Sequence, residues 1–442
     1  MCTDSEAPIS FERFPARNGD KWGYIDAQGT FAISPTYDGA SRFAEGLAAV
    51  KKGKRFGYID LHGKEVLPFQ YEWAGPFEDS IAIVKQAGQA FPIDHRGKPL
   101  FQMDAVSLER TPYPNCFIYG NNEEKYGLVD RHGIILAPAQ FSTPPSFEQG
   151  VAIVQRWTPA SRGSRLPATE YGVIDTLGQM RIAFGKYLHI RAAGEDFFFA
   201  ENLTGKGDSV SASLVGSDGV VRFQNPTLSG GTWDVQGERF HEGLIQGRDL
   251  DFHFQARAPA LLDRRGQMVY HCADCEFVYP IAPGILLGKG HSGKYALMNL
   301  KGELIYLDAL DWVVWDRDEP STAFESGCLI AGQGDHVVGI DTTGSRIWAY
   351  KSTHAPAPAQ FWFRKGNVIY LQQWTQNEFA EPVTLYGYWL PKTGTVVKPR
   401  FTHIDPTIGL SKLTEVIDQG SQAYINDSGI VIWKEKFVLR LE

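Results

Sequence analysis

Much of what would mark a common kind of protein is missing from this chain. Its 442 residues include five cysteines (Cys2, Cys116, Cys272, Cys275 and Cys328), an odd number spread too widely for a disulfide framework. Reduced thiols and a cytoplasmic location are therefore expected. No run of 18 apolar residues occurs, so no membrane insertion is expected. The stretch from Met1 to Phe14 has neither the basic start nor the apolar centre of a secretory leader. Dense Lys/Arg runs are absent and the formal net charge is −8. A nucleic-acid binder needs a basic surface to displace counterions, so no nucleic-acid partner is expected. No long segment has a 3.6-residue apolar period with caps, which leaves little room for helix. There is no G-x-S-x-G elbow, no H-E-x-x-H pair and no triad-like spacing of Ser, His and Asp, so no catalytic residues and no cofactor are assigned.

What the chain has instead is glycine, 46 residues of it, and 13% aromatic residues. Glycine at that density serves backbone positions with positive φ, and aromatics favour pleated strands. Many strands joined by tight turns follow from the two together.

The strands recur. Lys21-Trp22-Gly23-Tyr24-Ile25-Asp26 with Gly29 matches Arg55-Phe56-Gly57-Tyr58-Ile59-Asp60 with Gly63, every position 34 residues apart. The register continues through Tyr37 and Tyr71, Phe43 and Phe77, Ala48 and Ala82, Val50 and Val84. Further copies run through Asp94 to Gly97, Asp130 to Gly133, Asp175 to Gly178, Asp263 to Gly266, Asn299 to Gly302, Asp341 to Gly344 and Asn426 to Gly429. Degenerate ones sit at Val215 to Gly219 and Tyr386 to Gly394. That makes about eleven units of roughly 34 to 47 residues.

Within a unit, Asp followed three residues later by Gly fits a type I turn closed in the left-handed region, with the Asp side chain bonding turn N–H groups. The strand before the turn is Trp22 to Ile25. The strand after it is 30–34, stopped by Pro35 as other copies are by Pro68, Pro138 and Pro399. A third strand begins at Gly46-Leu47-Ala48. Each unit is thus expected to be a three-stranded meander. One meander cannot bury its apolar face, so units must stack. The expected fold is all-β: an array of about eleven such repeats, open superhelical, two-lobed or propeller-like, with the open or two-lobed form favoured because propellers usually hold four to eight blades. The expected division is an N-terminal segment (1–18), clear repeats (19–200) and divergent repeats (201–442), the last a candidate second lobe of the same array.

The Lys21-Trp22-Gly23 and Lys125-Tyr126-Gly127 triplets, each leading into a short strand, Asp and Gly, resemble the WG-repeat family of bacterial proteins. The resemblance runs from Gly19 to Val154 and weakens past Gly178; Phe56, Tyr126 and Tyr171 stand where Trp22 keeps the tryptophan. It implies an all-β array with interaction roles and brings no catalytic residues.

Several motifs invite chemistry. Gly288-Lys289-Gly290-His291-Ser292-Gly293-Lys294 satisfies two phosphate-loop patterns, but a strand-like segment follows where such a loop needs a helix N-terminus, so a hairpin is expected. His271, Cys272 and Cys275 are the best metal candidates, yet a structural zinc site wants four ligands and no second pair is present. They are read as a β turn with reduced cysteines. Asp249, Asp251 and His253 alternate along a strand, as solvated outward residues also do. The acidic run Asp308, Asp311, Asp316, Asp318 and Glu319 interleaves with Trp312 and Trp315, a pattern that could hold a cation or a sugar. The recurring aspartates supply one carboxylate per unit where Ca²⁺ needs six or more oxygens, and are read as turn formers.

The function expected is a non-enzymatic scaffold binding an unidentified protein partner, with a possible contact patch at Trp312, Trp315, Asp316 and Asp318. The alternative is a carbohydrate- or small-ligand-binding repeat module. An enzyme with a site assembled across units is a third reading.

Overall fold

The computed structural model describes residues 12–158, 168–203, 210–225, 233–234, 240–250, 256–265, 267–272, 274–314, 327–351, 361–365, 368–376, 382–390, 395–405, 413–418 and 421–435. Among them there is no α-helix. The strands form eleven separate antiparallel meanders, each with its strands in sequence order. We number these sheets as blades 1 to 11, with bounds 14–37, 39–71, 73–93, 107–141, 146–182, 189–225, 233–271, 275–299, 312–351, 361–401 and 403–434.

Eight blades have four strands and three (blades 1, 3 and 8) have three. The expected third strand of the repeat does not stay with its unit. Leu47–Lys52 pairs with Arg55–Asp60, so it belongs to the next blade, together with a two-residue strand at Gly39–Ala40. One sequence repeat therefore straddles two blades, and the crossing segment is held by Phe43, whose ring lies 4.7 Å from that of Tyr24.

The turns are built as their residues dictate. Asp26 Oδ1 accepts the N–H groups of Gln28 (2.9 Å) and Thr30 (3.0 Å), while Gly29 closes the turn at φ 78°. Asn299 does the same for Lys301 and Glu303, and Asn426 for Ser428 and Ile430. The recurring acidic residues are spent on backbone N–H groups.

The proline does not stop the returning strand. Phe31–Tyr37 runs through Pro35 as one strand, with a bulge that sets Trp22 opposite Tyr37 and Tyr24 opposite Ile33. The bulged backbone crosses over the glycine of the aromatic-glycine pair. A β-carbon on Gly57 would lie 2.7 Å from Leu67 O, and one on Gly127 2.6 Å from Ala137 O. A bulge also tolerates proline, since no ladder N–H is needed there. Glycine and proline, far apart in each repeat, are two halves of one crossing.

The core is divided between blades. Along Leu47–Lys52, Ala48 and Val50 pack with Tyr24 and Ile33 of blade 1, while Leu47 and Ala49 pack with Phe77, Ala82 and Val84 of blade 3. Strand alternation puts one set on each face, which is why the strand reads apolar at both parities. Among the described residues there are eleven such clusters, one at each junction, and the last joins Leu413 and Tyr424 of blade 11 to Phe14, Ala16 and Ile25 of blade 1. The array closes: it is an eleven-bladed β-propeller. An open or two-lobed array would leave the terminal faces bare, and the N-terminal strand covers the one that remains.

Candidate functional site

The residues singled out in the sequence meet different fates. Cys272 and Cys275 are not reduced: they form a disulfide with their Cα atoms 5.5 Å apart. Their sulfurs are thus not thiolate ligands in this state, and His271 beside them is exposed. Among the described residues no three His, Cys, Asp or Glu side chains are grouped to hold a metal ion.

Gly288 to Lys294 is a hairpin, with Gly293 N–H donating to Gly290 O (2.9 Å) and strand Tyr295–Asn299 following. Asp251, His253, Trp315, Asp316, Asp318 and Glu319 lie outside the described residues. Trp312 is half-buried against the core between blades 9 and 10, its indole lying over Gly332. Asp311 is engaged by Lys294 and by Gly334 N–H (2.7 Å). Of the patch expected at Trp312, Trp315, Asp316 and Asp318, only Trp312 lies among the described residues.

A cleft that no motif announced opens instead across blades 5, 6 and 7. One lobe, of about 250 Å³, is lined by Val151 and Ile153 of blade 5 and by Ala192, Phe197 and Phe198 of blade 6, with Glu148 at its edge. A second, of about 410 Å³, is lined by Ser217, Asp218, Arg222 and Arg264. Gln149, Glu195, Asp196 and Phe197 line both. An apolar compartment and a charged one therefore share a wall.

That wall is a two-residue hairpin turn. The corresponding turns are Glu45-Gly46, Asp79-Ser80, Gln149-Gly150 and Glu242-Gly243, all with both residues at positive φ. This is the primed turn, which suits the twist of a hairpin and normally takes glycine second. Blade 6 places Asp196 there, at φ 65° after Glu195 at 45°. Left-handed backbone costs a residue with a side chain about 1–2 kcal/mol, and such strain concentrates at functional sites.

The surroundings hold this turn in place. Asp196 O accepts the N–H of Ser217 (2.7 Å). Glu195 accepts the N–H of Gly243 (2.8 Å) and the guanidinium of Arg264 (2.8 Å), tying blade 6 to blade 7. Glu45 makes the same clasp to Ser80 N–H (3.0 Å) and His95 (3.1 Å), tying blade 2 to blade 3. Asp218 is bound by Val220 N–H (3.0 Å) and by Arg222, which together hold its carboxyl below the usual range. Among the described residues the Asp196 carboxylate, exposed at the lip, makes no hydrogen bond or ion pair, whereas Glu195, Asp218, Arg222 and Arg264 all do. The one clue in sequence was Asp196 in a glycine slot, visible only once Glu195-Asp196 is aligned with Glu45-Gly46.

Among solved structures, similarity is found to a eukaryotic initiation factor at 11% identity, over 77% of this chain and 95% of that one with a TM-score of 0.32. BamB from Moraxella catarrhalis matches at 12% identity over 64% and 92%, with a TM-score of 0.27. The Pan2 WD40 domain of Neurospora crassa matches at 11% over 57% and 79%, with a TM-score of 0.26. Scores this low establish no shared role. No curated protein matches the sequence. The family model described as WG containing repeat matches residues 22–55 and 56–89, so two adjacent copies of that repeat span blades 1 to 3.

Proposed function

We propose that this protein is a non-enzymatic scaffold whose cleft across blades 5 to 7 holds an extended segment of a partner protein, an apolar side chain in the first lobe and a neighbouring Lys or Arg against Asp196. The observation that carries this is the Asp196 carboxylate itself, held at the shared wall in a backbone state that glycine fills more easily. Val151, Ile153, Phe197 and Phe198 offer apolar area to the first side chain. The formal charge of −8 favours approach of a cationic segment. A binding role is supported over acid–base catalysis by Asp218, which is kept ionised by Arg222 and a backbone N–H and so is poorly suited to donate a proton near neutral pH.

The test is selection from a random-peptide display library, followed by anisotropy titration of the enriched peptides. Enrichment of an apolar residue beside Lys or Arg is expected, with affinity lost in Asp196→Gly while the melting temperature moves by no more than about 1–2 °C. Enrichment unchanged in that variant overturns the placement in this cleft. A thermal stabilisation by sugars with no peptide enrichment overturns the protein-binding role in favour of a carbohydrate module.

A further inference from the structure

The junction between blades 7 and 8 carries buried polar groups beside its apolar core. Its core holds Leu261, Val278, Leu286 and Met298, with Leu244, Tyr270, Cys275 and Ala296 packed against them. Gln246, opposite Leu261 in the same sheet, stands where blade 2 has Ala49. It is 2% exposed, and its side-chain oxygen has no hydrogen-bond partner among the described residues. The Nε2 atom of His241, paired with Leu244 on the same face, is likewise buried and unpartnered. Two buried polar atoms without a hydrogen-bond partner among the described residues weaken this seam.

The disulfide lies on that seam. Cys272 follows the last strand of blade 7, Met268–His271, and its N–H donates to Pro259 O (3.1 Å) in the same blade. Cys275 opens the first strand of blade 8, Cys275–Ala282, and packs on the four-residue core. The bond thus clamps the linker between the two blades, and both residues are half-buried rather than enclosed. A structural crosslink would be expected at a large loop or a deep core, and neither is present here.

We propose that Cys272–Cys275 is a reversible thiol–disulfide exchange site that sets whether the ring holds at the junction of blades 7 and 8, with a small dithiol or a dithiol protein as reductant. One thiolate of the reductant attacks a cystine sulfur, the Cys272–Cys275 bond breaks and a mixed disulfide forms. The second thiolate of the reductant then displaces the protein sulfur. The reductant leaves as its own disulfide, having given two electrons, and two protons complete the free thiols of Cys272 and Cys275.

Dithiothreitol is the probe, applied to the whole native protein, with maleimide labelling read by peptide mass mapping and backbone hydrogen exchange read by blade. Cys272 and Cys275 are expected to take label only after reduction, whereas buried Cys116 and Cys328 stay unlabelled without denaturant. Exchange in residues 275–299 should rise on the order of tenfold on reduction, as loss of a short crosslink implies, and return on air reoxidation. The Cys272→Ser/Cys275→Ser variant should match the reduced protein and ignore dithiothreitol. Labelling of both cysteines before any reductant overturns the proposal. So does reduction that leaves exchange in 275–299 unchanged, or that raises it equally in blades 1 to 4.

Discussion

Gly29 in the first blade stands against the carbonyl of Ile432 in the last, so closely that a β-carbon would lie 2.6 Å from that oxygen. The same turn glycine of other blades meets the last strand of the blade before it: Gly63 meets Ile33, Gly97 Leu67, and Gly429 Val397. Closure of the ring thus repeats the ordinary contact between neighbours. Gly19 has a similar positive φ, 61° against 78°, but open space around it. Both Gly→Ala changes should incur the left-handed cost of about 1–2 kcal/mol. Gly29→Ala should lose about 1–3 kcal/mol more from overpacking. Urea unfolding of the two variants decides it, and equal losses would mean that this contact does not seal the ring.

A buried hydroxyl crosses the same seam. Tyr424 Oη donates to Pro15 O (2.9 Å), while within the array Tyr58 Oη donates to Gly75 O (2.7 Å). Tyr58→Phe removes the hydroxyl donor of Gly75 O, and Tyr424→Phe leaves Pro15 O with the longer bond from Gln422 Nε2 (3.3 Å), each at about 1–3 kcal/mol. Hydrogen exchange should locate the damage differently. Tyr424→Phe should expose Phe14–Asn18, and Tyr58→Phe should expose Trp73–Ala74 and its neighbours. Global loss of protection in both would show that the blades do not open separately.

The pairing of glycine with a proline-bearing bulge gives a third expectation. Gly57 has ordinary backbone angles, so Gly57→Ala is penalised by contact with Leu67 O, Pro68 C and Phe69 N alone. The expected loss is about 1–3 kcal/mol, with the near-ultraviolet signal of the adjoining aromatics altered. A neutral Gly57→Ala would remove the physical reason offered for the aromatic-glycine pair.

How far the sequence could be read follows from which contacts are local. The turns were legible because Asp26 and Gly29 act on each other across four residues, and their recurrence gave the count of blades. The bulge was not, because Pro35 alone looks like a strand end until Gly23 is seen beneath it. Closure was not legible either: Phe14 and Tyr424 meet across the whole chain, and no pattern in either segment names the other. The cleft was missed for a third reason. Its residues come from three blades, and its distinguishing feature is an aspartate in a slot whose glycine preference only structural alignment reveals. At Asp311, beside Trp312, the carboxylate joins an inter-blade clasp with Lys294 and Gly334 N–H, a use that its position in an acidic run did not disclose.

Those clasps set the acid limit of stability. Asp38 is held by Lys21 (2.5 Å) and Gly53 N–H (2.6 Å), Glu72 by Gly88 N–H (3.1 Å) and Arg55 (3.4 Å), and Asp311 by Lys294 and Gly334 N–H. These partners keep all three carboxyls below their usual range. A group whose native pKa is depressed stabilises the fold fully above its unfolded value and loses that contribution as pH falls through the native value. Stability should therefore decline from about pH 5 downward. The triple variant Asp38→Asn/Glu72→Gln/Asp311→Asn should start lower at neutral pH and decline less steeply, measured by urea unfolding across that range. Parallel curves for variant and parent would show that the clasps add nothing.

At alkaline pH the sign reverses. Burial pushes the phenols of Tyr24, Tyr58, Tyr388 and Tyr424 far above their usual range, and for Tyr424 the Glu415 carboxylate adds to the effect. Their neutral forms stabilise the fold completely below the unfolded value of about 10, and that contribution is lost progressively as pH rises above it, because only the unfolded chain then ionises them. Of the 18 tyrosines, the exposed ones should ionise at once after a pH jump, and these four only as β-structure is lost. Stopped-flow tyrosinate absorbance should therefore show a fast phase and a slow one, the slow one keeping step with circular dichroism. In Tyr58→Phe the slow amplitude should fall while the fast one is unchanged. A single fast phase with the β-signal intact would mean that these hydroxyls are open to solvent and that the inter-blade core is not sealed around them.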